Sequence, residues 1–187
     1  MSMPGHSPAD DTSLRRTALA VSMVSSFLTP FMASGINVAT PLIGREFGLS
    51  AVTLGWVLTA YTLAAAMFLV PFGRLADLVG RKKVFAAGIA VNIAGTIMGA
   101  LAPSAAVLIL GRAVQGVGGA MIFGTGVAIL TSVYPPGGRG HALGLNTAAV
   151  YTGLSLGPVV GGLLVHAWGW RSVFWAIAPV AAAALVL

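Results

Sequence analysis

Six long apolar stretches, separated by short polar connections, make up nearly all of the chain after its first 16 residues. Only 7% of the residues are charged and 57% are apolar, whereas about a quarter of a soluble domain is charged. A helix needs about 20 apolar residues to cross the hydrocarbon core of a bilayer. The sequence therefore predicts an all-α membrane protein that lies in a lipid bilayer. The spans are expected near 17–41, 51–72, 84–102, 105–133, 142–166 and 171–187.

The two ends of the chain differ from this pattern. Residues 1–16 are polar and contain Pro, Gly, Ser and Asp, which is typical of a disordered tail. Residues 172–187 form a span that would rise about 24 Å as a helix, less than the roughly 30 Å core. We therefore expect two domains, a tail at 1–16 and a six-helix bundle at 17–187, with the last helix cut short in a fragment of a longer protein.

The distribution of basic residues predicts the orientation in the membrane. Lys and Arg favour cytoplasmic loops. With the N-terminus in the cytoplasm, that side holds Arg15, Arg16, Arg74, Arg81, Lys82, Lys83 and Arg139, and the opposite side only Arg45 and Arg171. We expect a multi-pass protein of the cell membrane with a cytoplasmic N-terminus, and Trp168 and Trp170 at the outer interface. The net charge of +6 lies in these connections rather than on one face, which argues against a nucleic-acid partner.

Residues 73–83 form a charged segment between the second and third spans. Gly73 and Gly80 are expected to let the backbone turn or pack closely. Asp77 is interpreted as a buried acid that needs a cation, and Arg81 is the nearest candidate. A simple basic loop that sets topology would explain the basic residues, Lys82 among them, but not Asp77 or the glycines.

The segment has a counterpart later in the chain. An offset of 89 residues places Gly73, Leu75, Gly80, Val84 and Phe85 on Gly162, Leu164, Gly169, Val173 and Phe174. Because the offset spans three helices, the two copies have opposite orientations in the membrane. The sequence therefore predicts a 3+3 inverted repeat, an arrangement found in secondary transporters.

Polar and small residues within the spans are the remaining candidates for function. Arg112 is the only formal charge well inside a predicted span, and such a residue suggests function by default; alternatively, neighbouring carbonyls or Gln115 satisfy it as a structural residue. Asn37 and Tyr61 are weaker candidates for lining a cavity. Close helix packing is expected at Gly95 and Gly99, and at the small residues of the fifth span. Those residues are Gly153, Gly157, Gly161 and Gly162, with Pro158 among them.

Three of these motifs together resemble the N-terminal half of a major facilitator superfamily transporter, and more narrowly the 14-helix drug:proton antiporters. Segment 73–83 is similar to the family pattern G-x-L-a-D-r-x-G-r-k, residues 112–119 to R-x-x-q-G-x-g, and residues 153–162 to G-x-x-x-G-P-x-x-G-G. The matching residues are Gly73, Leu75, Asp77, Gly80, Arg81 and Lys82; Arg112, Gln115, Gly116, Gly118 and Gly119; and Gly153, Gly157, Pro158, Gly161 and Gly162.

The resemblance implies a secondary active transporter that exports drugs or other small molecules by alternating access, with proton antiport left open. It implies that Asp77 contacts a second, C-terminal half absent from this chain and stabilises the outward-facing state. It further implies that Arg112 and Gln115 lie near the proton or substrate path, and that the glycine-rich fifth helix seals the cavity against proton leak.

One position departs from the family pattern. Residues 36–41 resemble the end of the family's first helix, but Met32 stands where an Asp is usual. The chain's four acids, Asp10, Asp11, Glu46 and Asp77, all lie outside the predicted spans. A proton-coupled carrier needs a titratable group in its path, so we expect either that the missing half supplies the acid or that Arg112 serves an anionic substrate.

Other functional classes have little support. The chain has no phosphate-binding G-x-x-x-x-G-K-[ST] motif. Its three histidines, His6, His141 and His166, are too scattered to predict a metal site. We expect no enzyme activity, no cofactor and no bound metal. The alternative to a transporter half is a truncated or structural six-helix membrane protein without transport activity of its own.

Overall fold

The computed structural model describes residues 8–186, with the side chains of residue 13 and residues 15–183. All regular elements in that range are α-helices, which confirms the predicted all-α fold. They are α1 (Pro8–Phe47), α2 (Ala51–Val79), α3 (Arg81–Ala100), α4 (Ala105–Val133), α5 (Pro136–Trp168) and α6 (Arg171–Val186). The first five are long and apolar enough to cross a membrane, and α6 is shorter.

Several helices extend beyond the predicted spans. α1 begins at Pro8, so the prediction of a disordered tail is wrong for residues 8–16, while residues 1–7 lie outside the described range. α2 continues to Val79, through most of the segment interpreted as a loop. All four acidic residues of the chain consequently lie within helices rather than outside them. Hydropathy marks the part of a helix that suits hydrocarbon, whereas backbone hydrogen bonding continues into the polar region until a cap or a turn stops it.

Three glycines with positive φ lie between consecutive helices, Gly48, Gly80 and Gly169. Gly80 alone joins α2 to α3 with φ of 106°, and Gly169 ends α5 with φ of 77°. Residues other than glycine rarely adopt such angles. Gly80 and Gly169 are paired by the 89-residue offset, so the sequence repeat corresponds to a positive φ at the same place in both copies.

Helix packing has the symmetry that an inverted repeat requires. α1 packs along α5, and α4 packs along α2. Exchanging α1 with α4, α2 with α5 and α3 with α6 converts the first pair into the second. α1 and α4 are the most buried of the long helices, whereas α2 and α5 expose most of their surface. The structure therefore confirms a bundle built from two three-helix copies.

The two ends of the bundle are each tied together by polar contacts. On the side where α1 begins, called here the N-terminal side, Tyr134 Oη donates to the carbonyl of Arg15 at 3.3 Å. On the same side Arg81 Nη1 donates to the carbonyl of Ala128 near the end of α4, at 3.0 Å. The start of α1, the α2–α3 connection and the end of α4 therefore lie on one side, as the predicted topology requires.

On the opposite side, the two tryptophans expected at the outer interface differ in exposure. Trp168 is 74% exposed, but Trp170 is only 3% exposed. Trp170 Nε1 donates to Glu46 Oε2 at 2.6 Å, and Arg171 Nη1 donates to Glu46 Oε1 at 2.7 Å. Arg171 Nη2 also donates to the carbonyl of Ala102, which links α1, α6 and the α3–α4 connection. The last turn of α1 holds the Glu46 carboxylate against the Trp170 indole, which buries this tryptophan at that end of the bundle.

Candidate functional site

Arg112 in α4 is almost completely buried, with 1% of its surface exposed. Its Nη1 donates to Gln115 Oε1 at 2.7 Å, and its Nε donates to the carbonyl of Val57 in α2 at 3.3 Å. The guanidinium carbon lies 4.7 Å from the centre of the Tyr61 ring, within range of a cation–π interaction. Gln115 and a neighbouring carbonyl therefore do hold two of the three guanidinium nitrogens, as the structural alternative predicted.

Gln115 extends this arrangement into α3. Its Nε2 donates to Thr96 Oγ1 at 2.8 Å, and Asn92 Nδ2 donates to the Gln115 carbonyl at 3.2 Å. Thr96 Oγ1 in turn donates to the Asn92 carbonyl at 2.8 Å. Sequence reasoning missed Asn92 and Thr96, although residues four apart lie on one face of a helix. Their spacing was a usable signal, and it was overlooked because the surrounding glycines were interpreted only as a packing motif.

A cleft of about 320 Å³ opens beside Arg112. It brings together Asn37 from α1, Tyr61 from α2 and Arg112 from α4, whereas Gln115 lies behind Arg112 and does not line it. The other lining residues are Ala33, Ser34, Leu58, Thr59, Thr62 and Leu154. None of these was predicted, since hydroxyl and small apolar residues are common in every span and carry no distinguishing signal.

The cleft contains a positive charge and no acid among its lining residues. Met32, which stands where the family usually has Asp, is 5% exposed and packs in the main apolar cluster with Leu28, Ile36 and Phe174. In the described part of the chain, ion pairs join Arg81 to Asp77 and Arg171 to Glu46, and Arg112 takes part in neither. A buried charge without a counter-charge is costly, and among the described residues that of Arg112 is compensated by neutral acceptors and the Tyr61 ring.

Three glycines of α5 form a seam against α1. A Cβ at Gly153 would collide with the carbonyl oxygen of Phe27, and one at Gly157 with Ser34 Oγ and, at 2.6 Å, with the Phe31 carbonyl oxygen. A Cβ at Gly161 would lie 2.9 Å from the Gly35 Cα. Contacts under 3.0 Å are essentially never seen for real Cβ atoms, so only glycine permits this approach. The predicted close packing of the fifth span is confirmed at these three positions.

The other two residues of that motif lie outside the seam. A Cβ at Gly162 would meet only a side-chain atom of Val38, at an ordinary 3.7 Å. Pro158 is exposed on α5, and its ring nitrogen cannot donate to the carbonyl of Leu154, one turn earlier. Leu154 lines the cleft, so the backbone hydrogen bond that Pro158 removes lies beside the cleft and not in the packing against α1.

Gly95 and Gly99 of α3 also pack closely, as predicted. A Cβ at Gly95 would lie 2.6 Å from the Gln115 backbone nitrogen, and one at Gly99 would collide with the Phe174 ring. The first contact brings α3 near enough for Thr96 to reach Gln115. Close packing therefore also positions the polar network behind Arg112.

Segment 73–83 is the end of α2, one hinge residue and the start of α3, rather than a loop. Arg81 Nη2 and Nε donate to the same oxygen, Asp77 Oδ1, at 3.0 and 3.1 Å. This confirms Arg81 as the partner of Asp77. The expectation of a buried acid is wrong, because the Asp77 side chain is 63% exposed. Asp77 Oδ2 accepts none of the hydrogen bonds among the described residues, and Lys82 is exposed.

The two glycines of the segment differ. Gly80 has its left-handed backbone angle, whereas Gly73 is helical, and a Cβ added to Gly73 would meet nothing within 4 Å. The close approach expected at Gly73 is instead determined by Gly124 of α4, whose own Cβ would lie 3.3 Å from the Leu69 carbonyl oxygen. Among the described residues, no contact would prevent a larger side chain at position 73.

Replacing Gly80 by alanine should destabilise the protein, because Cβ is strained at this backbone angle, typically by about 1–3 kcal/mol. Gly73→Ala is the matched control; an Ala in a helix is favoured over Gly by roughly 0.5–1 kcal/mol, so its stability should be unchanged or slightly raised. Thermal unfolding of the purified protein, followed by tryptophan fluorescence, measures both. Equal melting temperatures for the two variants would contradict the assigned role of Gly80.

Known proteins match both the sequence and the fold of the chain. Residues 22–187 match the family model of the Major Facilitator Superfamily. The multidrug resistance protein Stp of Mycobacterium tuberculosis (strain CDC 1551 / Oshkosh) is 37% identical over 179 residues. The cephamycin export protein CmcT of Amycolatopsis lactamdurans is 38% identical over 177 residues. The solved structure of the proton:xylose symporter XylE superimposes with a TM-score of 0.84 at 15% identity, which shows a shared fold.

The alignments cover most of this chain but a minor part of its relatives. The match to Stp covers 93% of the chain and 33% of Stp, and the match to CmcT covers 94% and 36%. The superposition on XylE covers 94% of the chain and 44% of XylE. The chain thus spans about a third of the length of the curated relatives.

Proposed function

Since the chain belongs to the Major Facilitator Superfamily, we propose that it is the N-terminal half of a secondary active transporter that exports amphiphilic small molecules by alternating access. The observation that carries the proposal is the cleft, where Asn37, Tyr61 and Arg112 from three helices meet beside apolar residues. Small-molecule sites commonly combine an apolar lining with a few convergent polar groups. The drug- and antibiotic-export names of the relatives support export as the direction.

A second half is the partner that this arrangement requires. The cleft is open, and two of the helices that line it, α2 and α5, also expose many large apolar side chains. They include Leu63, Met67 and Val70 of α2, and Tyr151, Val159 and Leu163 of α5. Lipid can cover part of this surface, but a polar cleft facing lipid would be costly. A second helical half across α2 and α5 would enclose it, and the longer relatives have room for one.

Segment 73–83 is suited to respond to the movement of that half. Arg81 occupies one oxygen of Asp77, and the exposed second oxygen is available to a donor from outside this chain. Such a contact would form in one arrangement of the halves and break in the other, which is what a conformational latch requires. The basic residues of the segment favour a position on the cytoplasmic side of the cell membrane, together with the N-terminus.

Proton antiport, if the complete protein uses it, depends on an acid from the second half. The acids of this half lie near helix ends, and Met32 contributes an apolar side chain to the core. The alternative is a truncated or structural six-helix protein without transport activity of its own, in which the cleft stays open.

Dye accumulation in cells tests the proposal against this alternative. We expect the complete gene product to lower the accumulation of ethidium, Nile red or fluorescein several-fold relative to the empty vector, because a closed cleft can carry substrate across. The 187-residue chain expressed alone should leave accumulation at the vector level. Equal efflux by the chain alone would contradict its assignment as a half. Unchanged accumulation of all three dyes by the well-expressed complete protein would contradict export of amphiphilic compounds.

A further inference from the structure

We propose that the cleft binds the anionic group of its substrate, a carboxylate, sulfonate or phosphate, at Nη2 of Arg112. This inference rests on the proposed function, because it names the class of molecule that the same cleft selects.

The guanidinium group of Arg112 is held in place by its neighbours. Arg112 lines the cleft, and its Nε and Nη1 are held by Val57 and Gln115. Nη2 donates none of the hydrogen bonds among the described residues. An Arg head group whose other nitrogens are fixed is pre-organised, so a ligand that accepts from Nη2 loses little side-chain freedom on binding. Hydrogen bonds from a charged donor to an anionic acceptor are about twice as strong as neutral ones.

The charge of the cleft is not balanced by this chain. The cleft has no acidic lining residue, and Arg112 makes no ion pair with the described acids. Moving a cationic substrate next to this guanidinium would add a like charge beside one that is almost completely buried, whereas an anion would neutralise the existing one. The cleft therefore disfavours cations as well as attracting anions, which is how specificity is usually achieved.

Several hydrogen-bond donors lie around Arg112. Ser34 and Thr59 already donate their hydroxyl protons to backbone carbonyls one turn earlier in their own helices. Asn37 and Thr62 make no hydrogen bond within the described residues, so an amide and a hydroxyl remain available to an oxyanion. The Tyr61 hydroxyl lies against Gly119, and its ring faces the guanidinium group. Leu58 and Leu154 supply apolar contacts for the rest of an amphiphilic molecule.

Three probes with one common ring system test the charge preference in the complete gene product, reconstituted in phosphatidylcholine nanodiscs. Dansylglycine carries a carboxylate, dansylamide is neutral and dansylcadaverine carries an ammonium group. We expect dansylglycine to bind more tightly than dansylamide by about tenfold, which is the low end for a hydrogen bond to a charged group. Dansylcadaverine should bind most weakly. The enhancement of dansyl fluorescence on titration measures each affinity.

Variants at Leu154 test the site without disturbing the buried network. Leu154 is 47% exposed and lines the cleft, so glutamate and glutamine should both be accommodated there. Leu154→Glu places a carboxylate in the cleft, whereas Leu154→Gln does not. Relative to Leu154→Gln, it should lower the affinity for dansylglycine by about tenfold and raise the affinity for dansylcadaverine. Arg112→Gln should also abolish the preference for dansylglycine, and Arg112→Lys should retain part of it. Arg45→Gln is the control for a charge outside the cleft.

A blocking variant separates failure of this inference from failure of the proposed function. Leu154→Trp should remove saturable binding of every probe that uses the cleft. If binding is lost in Leu154→Trp but the glutamate and glutamine variants bind dansylglycine equally, the anion site is wrong and the cleft stands. If dansylcadaverine binds best to the wild type, the anion site is likewise wrong. If no probe binds, or if Leu154→Trp changes none of them, the cleft is not a substrate site and both proposals fail.

Discussion

Replacing Gly157 by valine should prevent α1 and α5 from packing, with a loss of stability above about 3 kcal/mol, the upper end for overpacked cores. The reason is that the side chain would meet backbone. The first atom added at this position collides with Ser34 Oγ and lies 2.6 Å from the Phe31 carbonyl oxygen. Flexible side chains can move away from a new methyl group, but a helix backbone moves only if the two helices separate.

Size-exclusion chromatography in mild detergent measures the loss, as the fraction of the expressed protein that elutes as a monodisperse peak. Gly144→Val is the matched control in the same helix, because a Cβ at Gly144 would meet nothing within 4 Å. Both variants carry the same change in helix propensity, so the difference between them reports packing against α1. A monodisperse Gly157→Val protein that melts within a few degrees of the control would show that the seam is not needed for folding.

The second large effect is expected at Arg112. Arg112→Ala in the complete gene product should raise accumulation of an exported dye to the level of the empty vector. The substitution removes the positive charge from the cleft, and it leaves the Gln115 Oε1 and the Val57 carbonyl without their donor. The substitution therefore removes both the charge that faces the cleft and the hydrogen bonds that fix this part of its lining. We expect no residual dye efflux.

Two comparisons keep this result interpretable. Arg45→Ala removes a charge of the same kind from the exposed end of α1, where Arg45 makes no hydrogen bond or ion pair with another described residue. This variant should leave dye accumulation unchanged at matched expression. Arg112→Lys restores the charge without the planar fork and should recover part of the efflux. Unchanged accumulation with Arg112→Ala, at matched expression and melting temperature, would remove Arg112 from the mechanism.

The predictions that succeeded depended on patterns that are visible along the sequence: apolar length, a repeat, and residue spacing within one helix. Apolar length identified six helices, and the 89-residue repeat correctly paired Gly80 with Gly169. Glycine spacing identified the seam on α5, because small residues four apart form one face of a helix. The partner of Asp77 was equally local, since Arg81 lies one helical turn away.

The predictions that failed depended on where a helix stops and on what surrounds it. Residues 8–16 carry polar composition yet continue α1, and composition alone does not record a helix that extends past its apolar part. Asp77 was interpreted as buried, although the end of α2 leaves it exposed. The burial of Trp170 was not predicted, because the carboxylate that holds its indole lies 124 residues away in sequence.

The sequence by itself determined the membrane class, the number of helices, the inverted repeat and the presence of one intramembrane cation, because these follow from hydropathy and spacing along a single chain. Only the tertiary structure decided that Asn37, Tyr61 and Arg112 share a cleft and that Asn92 and Thr96 support Arg112 from behind. The physical reason is that a helix in lipid must satisfy its polar side chains through neighbouring helices. Which neighbours meet is set by the close approach of glycine-bearing faces, and this cannot be read from one helix at a time.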